Sequence, residues 1–310
     1  MSSARYPLPT DLVALVTFDG RVYPNEACPW DRLGLHERGP HPLETALEQW
    51  FSFATGKHTW VSVRGATIRG LISSRRRAKR SAWEAEVLIH TDEDKSVVLS
   101  LLGRMTAGVA KLGAERVFLR LAADSRLINV TREAGFFRYG QETLYRADRI
   151  TTAEAPDLPL RPRAKGDALG IFQLYTQAVP ANVRAIEGAT FREWQSALEP
   201  WPGRPTELVL EEDGVITAWL RFLSGQMGRF SLLAHPNRGD VEALVRVAAA
   251  FLADSRSVIS LVPAHDPTLG RTLRQMGFAP AGDYAALAKR LVKPVEEMVP
   301  EKVGTAVPAS

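Results

Sequence analysis

The chain has 310 residues, 45% hydrophobic and 24% charged, the balance of an ordinary globular protein and not of a chain disordered throughout. One cysteine, Cys28, excludes an internal disulfide, and no N-terminal stretch pairs basic residues with an apolar core, so a reducing, cytoplasmic location is expected. The net charge of +4 lies in the first 155 residues, with 22 basic against 18 acidic side chains, while the remaining residues carry 17 of each.

The length suits two domains of about 130–150 residues. Residues 1–10 read as loose, and residues 41–53 as an amphipathic helix with Pro42 near its start. Residues 58–64 and 67–73 form a predicted hairpin about Gly65, and residues 82–90 a third strand. The turn before that strand crowds Arg75, Arg76, Arg77, Lys79 and Arg80 into one run, which reads as a solvated hairpin tip. A nucleic-acid binder spreads its basic residues over a face, so the run argues against nucleic acid. Residues 95–112 place Val98, Leu101, Leu102, Met105, Val109 and Leu112 at helical period. A strand at 116–121, a helix at 124–134 stopped by Gly135 and a strand at 136–146 complete the half.

The stretch 151–162, TTAEAPDLPLRP, reads as a linker. Beyond it the order recurs. Helices are expected at 168–179 and 191–198, a hairpin from 207–210 and 215–223, and a strand at 229–234. A helix at 241–253, apolar nearly all round and therefore expected to be buried, precedes a strand at 258–262 and a helix at 267–276 ended by Gly277. No apolar run approaches the roughly 20 residues of a membrane span. Asp124, Leu127, Arg132, Gly135, Phe136 and Gly140 each have an identical partner 142 positions later, at Asp266, Leu269, Arg274, Gly277, Phe278 and Gly282. That register argues for duplication. The expected division is residues 10–148 and 160–292, joined by a linker at 149–159 and followed by a flexible tail at 293–310.

The order of hairpin, strand, helix, strand, helix, Gly-Phe and closing strand, carried by residues 82–146 and 229–291 and by LRPRAKGD from Leu160, resembles the GNAT superfamily of acyl-CoA-dependent N-acyltransferases. The resemblance implies a mixed α/β fold of two tandem domains. Each would hold a mostly antiparallel sheet with a splayed parallel strand pair and flanking helices. It implies acetyl-CoA or another acyl-CoA as cofactor, no metal, and a small-molecule amine as partner.

In that family the loop after the splayed strand holds the cofactor's pyrophosphate on backbone N–H groups at a helix N-terminus. The first half has His90-Thr91-Asp92-Glu93-Asp94-Lys95-Ser96 there, with no glycine and three carboxylates. Like charges 4 Å apart repel by about 4 kcal/mol at an intermediate dielectric, and Asp92 or Asp94 suits a helix cap instead. The second half has His235-Pro236-Asn237-Arg238-Gly239-Asp240. Leu233, His235, Arg238 and Gly239 are therefore the candidate cofactor residues, against the alternative of an ordinary turn capped by Asn237 or Asp240. The family's base position matches Glu86, with Glu84 on the same strand face; the second half has Ser231 there. Both glutamates equally suit an exposed strand. The family's tyrosine acid is replaced by Thr131 and Leu273.

His36, His41, His58, His90, His235 and His265 have no metal-ligand spacing. Trp50, Trp60, Trp83, Trp194 and Trp219 fall in predicted elements and read as core. Trp30 and Trp201, each beside a proline, are candidates to line a cleft between the halves. Three functions stay open: an N-acyltransferase with one working half, a catalytically inactive GNAT-like protein that binds a ligand or partner in that cleft, and docking of the arginine run on a polyanion.

Overall fold

Strands form where β-branched and aromatic residues concentrate, and helices where the apolar period lengthens. The computed structural model describes residues 3–11, 23–34, 57–65, 67–91, 95–148, 150 and 156–291. The helix expected at 41–53, the acidic loop 92–94, Trp50, His36, His41 and the tail from 292 lie outside the described residues. The first half contains β1 (Ser3–Arg5), β2 (His58–Arg64), β3 (Thr67–Arg76), β4 (Ala82–His90), α1 (Lys95–Lys111), β5 (Arg116–Ala122), α2 (Leu127–Glu133) and β6 (Phe137–Ala147). The second contains β7 (Leu160–Pro162), α3 (Ala168–Ala178), α4 (Ala181–Glu187), α5 (Phe191–Ala197), β8 (Thr206–Glu212) and β9 (Val215–Leu223). It ends with β10 (Met227–Ala234), α6 (Val241–Phe251), β11 (Ser257–Pro263), α7 (Pro267–Gln275) and β12 (Ala279–Arg290). None of the described helices is long and apolar enough to cross a membrane.

The elements match the predicted order with four local differences. Strand β1 occupies the loose N-terminus and pairs with β2. Strand β7 occupies the last three residues of the stretch 151–162, directly after the expected 149–159 linker, and pairs with β8. Helix α2 starts three residues late, at Leu127, whose N–H donates to the Ser125 hydroxyl at 3.2 Å. Helix α4 has only seven residues, too short a run to show a helical period. The helix expected to be buried all round, α6, has an exposed face with Glu242, Arg246 and Phe251, the last 53% exposed.

All twelve strands lie in one sheet, in the order β1-β2-β3-β4-β5-β12-β6-β11-β10-β9-β8-β7. The order reads the same from both edges about the β12/β6 junction. Each half gives its last strand to the other: β12 pairs with β5, and β6 pairs with β11. The two expected parallel pairs are present, β4 with β5 and β10 with β11. The repeated glycines close equivalent helices: Gly135 and Gly277 take φ of +84° and +87°, a left-handed stop that favours glycine.

Helix α1 buries Leu101, Met105 and Val109 against Trp60 and Trp83. A Cβ on Gly108 would lie 2.4 Å from Trp60 Cζ2, so glycine is what lets this helix seat on the indole. Helices α6 and α7 bury Val245, Ala248, Leu269 and Leu273 against Phe230 and Phe278. Helices α3 and α5 pack Leu174 and Trp194 on Trp219 of β9. Because β5 and β11 each complete their pairing with a strand of the other half, residues 1–148 produced alone should stay largely unfolded. A cooperative urea transition of that fragment would contradict the strand exchange.

Candidate functional site

A pair of parallel strands that parts leaves an opening between them, and the two halves treat theirs differently. Strands β4 and β5 pair only from Ala82↔Arg116 to Glu84↔Phe118. Beyond that point the chain's own residues 25–28 fill the gap. Asn25 Nδ2 donates to Glu86 O at 3.0 Å, its Oδ1 accepts from Leu88 N at 2.8 Å, and Glu26 N donates to Leu88 O at 2.9 Å. On the other side Cys28 N donates to Arg120 O at 2.9 Å. Burial pushes the Cys28 thiol up to about 11. It is therefore not a ready nucleophile.

Strands β10 and β11 pair from Met227↔Ser257 to Phe230↔Ser260 and then part. Here Ser231, Leu232 and Leu233 on one side and Leu261 and Pro263 on the other line a cavity of about 230 Å³. Trp30 and Trp201 line it too, with rings 5.7 Å apart at 75°. Arg229 of β10 holds the Trp30 segment by donating to Trp30 O at 2.7 Å and Leu33 O at 2.8 Å. The loop tryptophans thus face the opening of the second half.

Arg77, Glu142 and Glu199 of the lining belong to an alternating chain of charges. Arg75 donates to Asp31 at 2.7 Å and to Glu84 at 2.7 Å, and Arg77 reaches Glu84 at 3.0 Å and Glu199 at 2.9 Å. Arg120 joins Glu199 at 2.7 Å to Glu142 at 2.6 Å. Those two guanidinium groups hold Glu199 down to about 2. The arginine run is therefore not a solvated tip as a whole. Arg76, Lys79 and Arg80 are exposed, but the Arg77 side chain is 6% exposed, sits over the Phe118 ring and donates to Ala197 O of the other half.

Glu84 and Glu86, read from sequence as candidate bases or exposed strand residues, are 3% and 2% exposed. Glu86 Oε1 accepts from Lys57 at 3.0 Å and Arg32 at 3.1 Å, with Arg75 at 3.4 Å, and residues 25–28 cross its strand. Thr131 and Leu273 are fully buried in the core and offer no acid to the cavity.

A different carboxylate faces the cavity. Glu187 ends α4, beside Tyr175 of α3, whose hydroxyl donates to Glu187 Oε2 at 3.3 Å. No cation pairs with it among the described residues. Desolvation first, then the negative charges of Glu142 and Glu199, push its carboxyl up to about 7. Two contacts fix it in place. Arg116 donates to Glu187 O at 2.7 Å and Ile186 O at 3.0 Å, a cation at a helix C-terminus. The following Gly188 packs so closely that a Cβ would lie 2.2 Å from Trp194 N, a backbone atom that cannot swing aside. Sequence reasoning missed Glu187, and only the Glu-Gly step at the end of ANVRAIEG marks it.

The second-half loop lies at the start of α6. Its Gly239 faces open space, with nothing within 4 Å of a Cβ built there. Arg238 is engaged: it donates to Asp240 at 2.7 Å through two atoms, to Glu212 at 2.8 Å and to Thr217. Those carboxylates hold its guanidinium well above the usual range. Leu233 lies in the opening, and His235, Arg238 and Gly239 line a neighbouring depression at the head of α6.

No protein-family model matches the sequence, and no curated protein matches it. Solved structures resemble the whole chain, and two of them illustrate the likeness. One is a GCN5-related N-acetyltransferase from Sphaerobacter thermophilus, 16% identical with a TM-score of 0.57 over 93% of this chain and 95% of that one. The other is a tandem GNAT protein from the clavulanic acid biosynthesis pathway, 10% identical with a TM-score of 0.51 over 94% and 98%. The chain has the fold of the GNAT superfamily. It has that fold in tandem form, two such units built from one duplicated plan.

Proposed function

We propose that the protein is an acyl-CoA-dependent N-acyltransferase in which the second half works on a small-molecule amine and the first half is structural. The observation that supports this most is the contrast between the two strand openings, one filled by residues 25–28 and one leading to a cavity. An opened strand presents unpaired backbone groups, which an extended amide-bearing arm can pair with. Leu232 and Leu233 would line that arm. The backbone at Gly239 and the head of α6 would receive its phosphates. Acyl-CoA, when bound, supplies a thioester carbonyl open to attack by an amine.

Glu187 holds a carboxyl that is about half ionised near neutral pH, which suits a group that takes the amine's proton as the new C–N bond forms. Trp30, Trp201 and Trp219 shield that point from water. In this reading Glu84 and Glu86 anchor the arginine network, and the base belongs to Glu187. Thiol release from acetyl-CoA over a panel of amines tests the proposal: turnover supports it.

A second reading is favoured by the neutralised Arg238 and the empty acid position, namely a catalytically inactive protein that binds a ligand in the same cavity. Acetyl-CoA binding without thiol release from any amine would support it. Under the enzyme reading, Glu212→Ala frees Arg238 from one carboxylate. It should tighten acetyl-CoA on the order of tenfold, the size of one charge-assisted hydrogen bond.

A further inference from the structure

Five other arginines near the junction of the halves have direct partners within the protein. Arg75, Arg77 and Arg120 meet carboxylates, while Arg116 and Arg229 donate to backbone carbonyls. Arg221 of β9 is different. It lines the cavity, yet among the described residues no carboxylate lies within 4.0 Å of it, and its one hydrogen bond runs from Nε to Ser231 Oγ at 3.2 Å. Its guanidinium is clamped over two rings, 4.3 Å from the Trp219 centroid and 5.1 Å from that of Trp201. Stacking of this kind fixes the plane and leaves the edge free to fork onto an anion.

The first half shows what such an arginine does when it is paired within the protein. Arg75 of β3 stands opposite Glu84 of β4 and bonds its carboxylate at 2.7 Å. Arg221 of β9 stands opposite Ser231 of β10, a hydroxyl that cannot neutralise it, and on its other side opposite Glu207 of β8, which forms no ion pair with it. Glu207 is held instead by Trp219 Nε1 at 2.9 Å and Arg163 at 3.4 Å, which leaves Arg221 without a direct ion pair, and an anion arriving in the cavity would supply one. Burial brings the Arg221 guanidinium down to about 10, against the opposing pull of Glu207 and Glu199. The same cavity is also lined by Glu187, a carboxylate suited to an ammonium or amine.

We propose that the acceptor is an amine that also carries a carboxylate, with the carboxylate forked onto Arg221 and the amine directed to Glu187. This rests on the acyltransferase reading for its chemistry, but the carboxylate site stands on Arg221 alone and can be tested apart from turnover.

The experiment uses pairs that differ only in the carboxylate: L-phenylalanine with phenethylamine, L-leucine with isoamylamine, and 4-aminobutyrate with propylamine. Thiol release from acetyl-CoA is measured for each, and each compound is also titrated calorimetrically into the full chain without an acyl donor. The carboxylated member of at least one pair should be favoured by about 10–100-fold, the range of a charge-assisted fork. Arg221→Gln should erase that preference chiefly through KM. Ser231→Glu, which supplies the internal partner that Arg75 has in Glu84, should erase it while leaving the melting temperature near that of the wild type. Binding or turnover that ignores the carboxylate, or a preference that survives both variants, overturns the proposal. Carboxylate-selective binding with no thiol release from any amine would retain the Arg221 site and reject the acyltransferase reading. No binding of any pair member and no turnover would reject both.

Discussion

Glu187→Gln should lower the rate of acyl transfer by about 10²–10⁴-fold, the span that a positioned base contributes, and should make the protein more stable above neutral pH. Glutamine has the same shape and can keep the contact with Tyr175, so the loss isolates the base. The stability gain follows from linkage. Burial and the neighbouring Glu142 and Glu199 push the Glu187 carboxyl from the usual carboxylate value of 4.5 up to about 7, against the opposing pull of Arg77 and Tyr175. Between those values the folded chain binds more protons than the unfolded one, so this group's contribution to stability falls as pH rises through that window. Above it the wild type carries a partly desolvated charge that the glutamine variant lacks. Denaturant unfolding at about pH 8 should therefore favour the variant, and the difference should vanish near about pH 4.5. The wild-type rate should rise with pH through about 7 and then level, since Thr131 and Leu273 leave no acid to impose a falling limb. A variant with unchanged rate would remove Glu187 from the chemistry.

Arg77→Ala should cost about 3–5 kcal/mol, the usual result of removing one partner from a buried ion pair. The side chain is 6% exposed and bridges Glu84 of the first half to Glu199 and Ala197 O of the second. Arg75 and Arg120 would still face those carboxylates, which places the loss near the lower end of the range. Arg76→Ser, Lys79→Ser and Arg80→Ser alter exposed groups and should each stay within about 0.5 kcal/mol. Urea unfolding of the four variants separates the residues of the run. Equal losses across all four would contradict the ion-pair network.

Most of the fold was legible in the sequence because its signals are local. Alternation marked the strands, the longer period marked α1 and α6, and Gly135 and Gly277 marked equivalent helix ends. The exchange of β6 and β12 was not legible, since a strand pattern states that a segment pairs but not with which partner. The arginine run was misjudged on composition, although its geometry was available. In an extended strand Arg75 and Arg77 share one face, and Glu84 and Glu86 have the same spacing on the strand opposite. The Arg238-Gly239 loop was legible as a motif. Glu187 and Arg221 were not, because their character comes from convergence. Glu187 acquires its environment from Tyr175 of α3, Glu142 of β6 and Glu199 after α5, and Arg221 becomes distinctive only through what Ser231 fails to supply.

On the proposed reading, acyl-CoA enters the second half and only there. Calorimetric titration of acetyl-CoA into the wild type, Arg238→Glu and Lys95→Glu tests it directly. Arg238→Glu adds a third carboxylate to the loop that already holds Glu212 and Asp240, while Lys95→Glu makes the same charge change at the head of α1. One equivalent bound by the wild type, lost in Arg238→Glu and kept in Lys95→Glu, is the predicted result. Two equivalents, or affinity that survives Arg238→Glu and falls in Lys95→Glu, would contradict it.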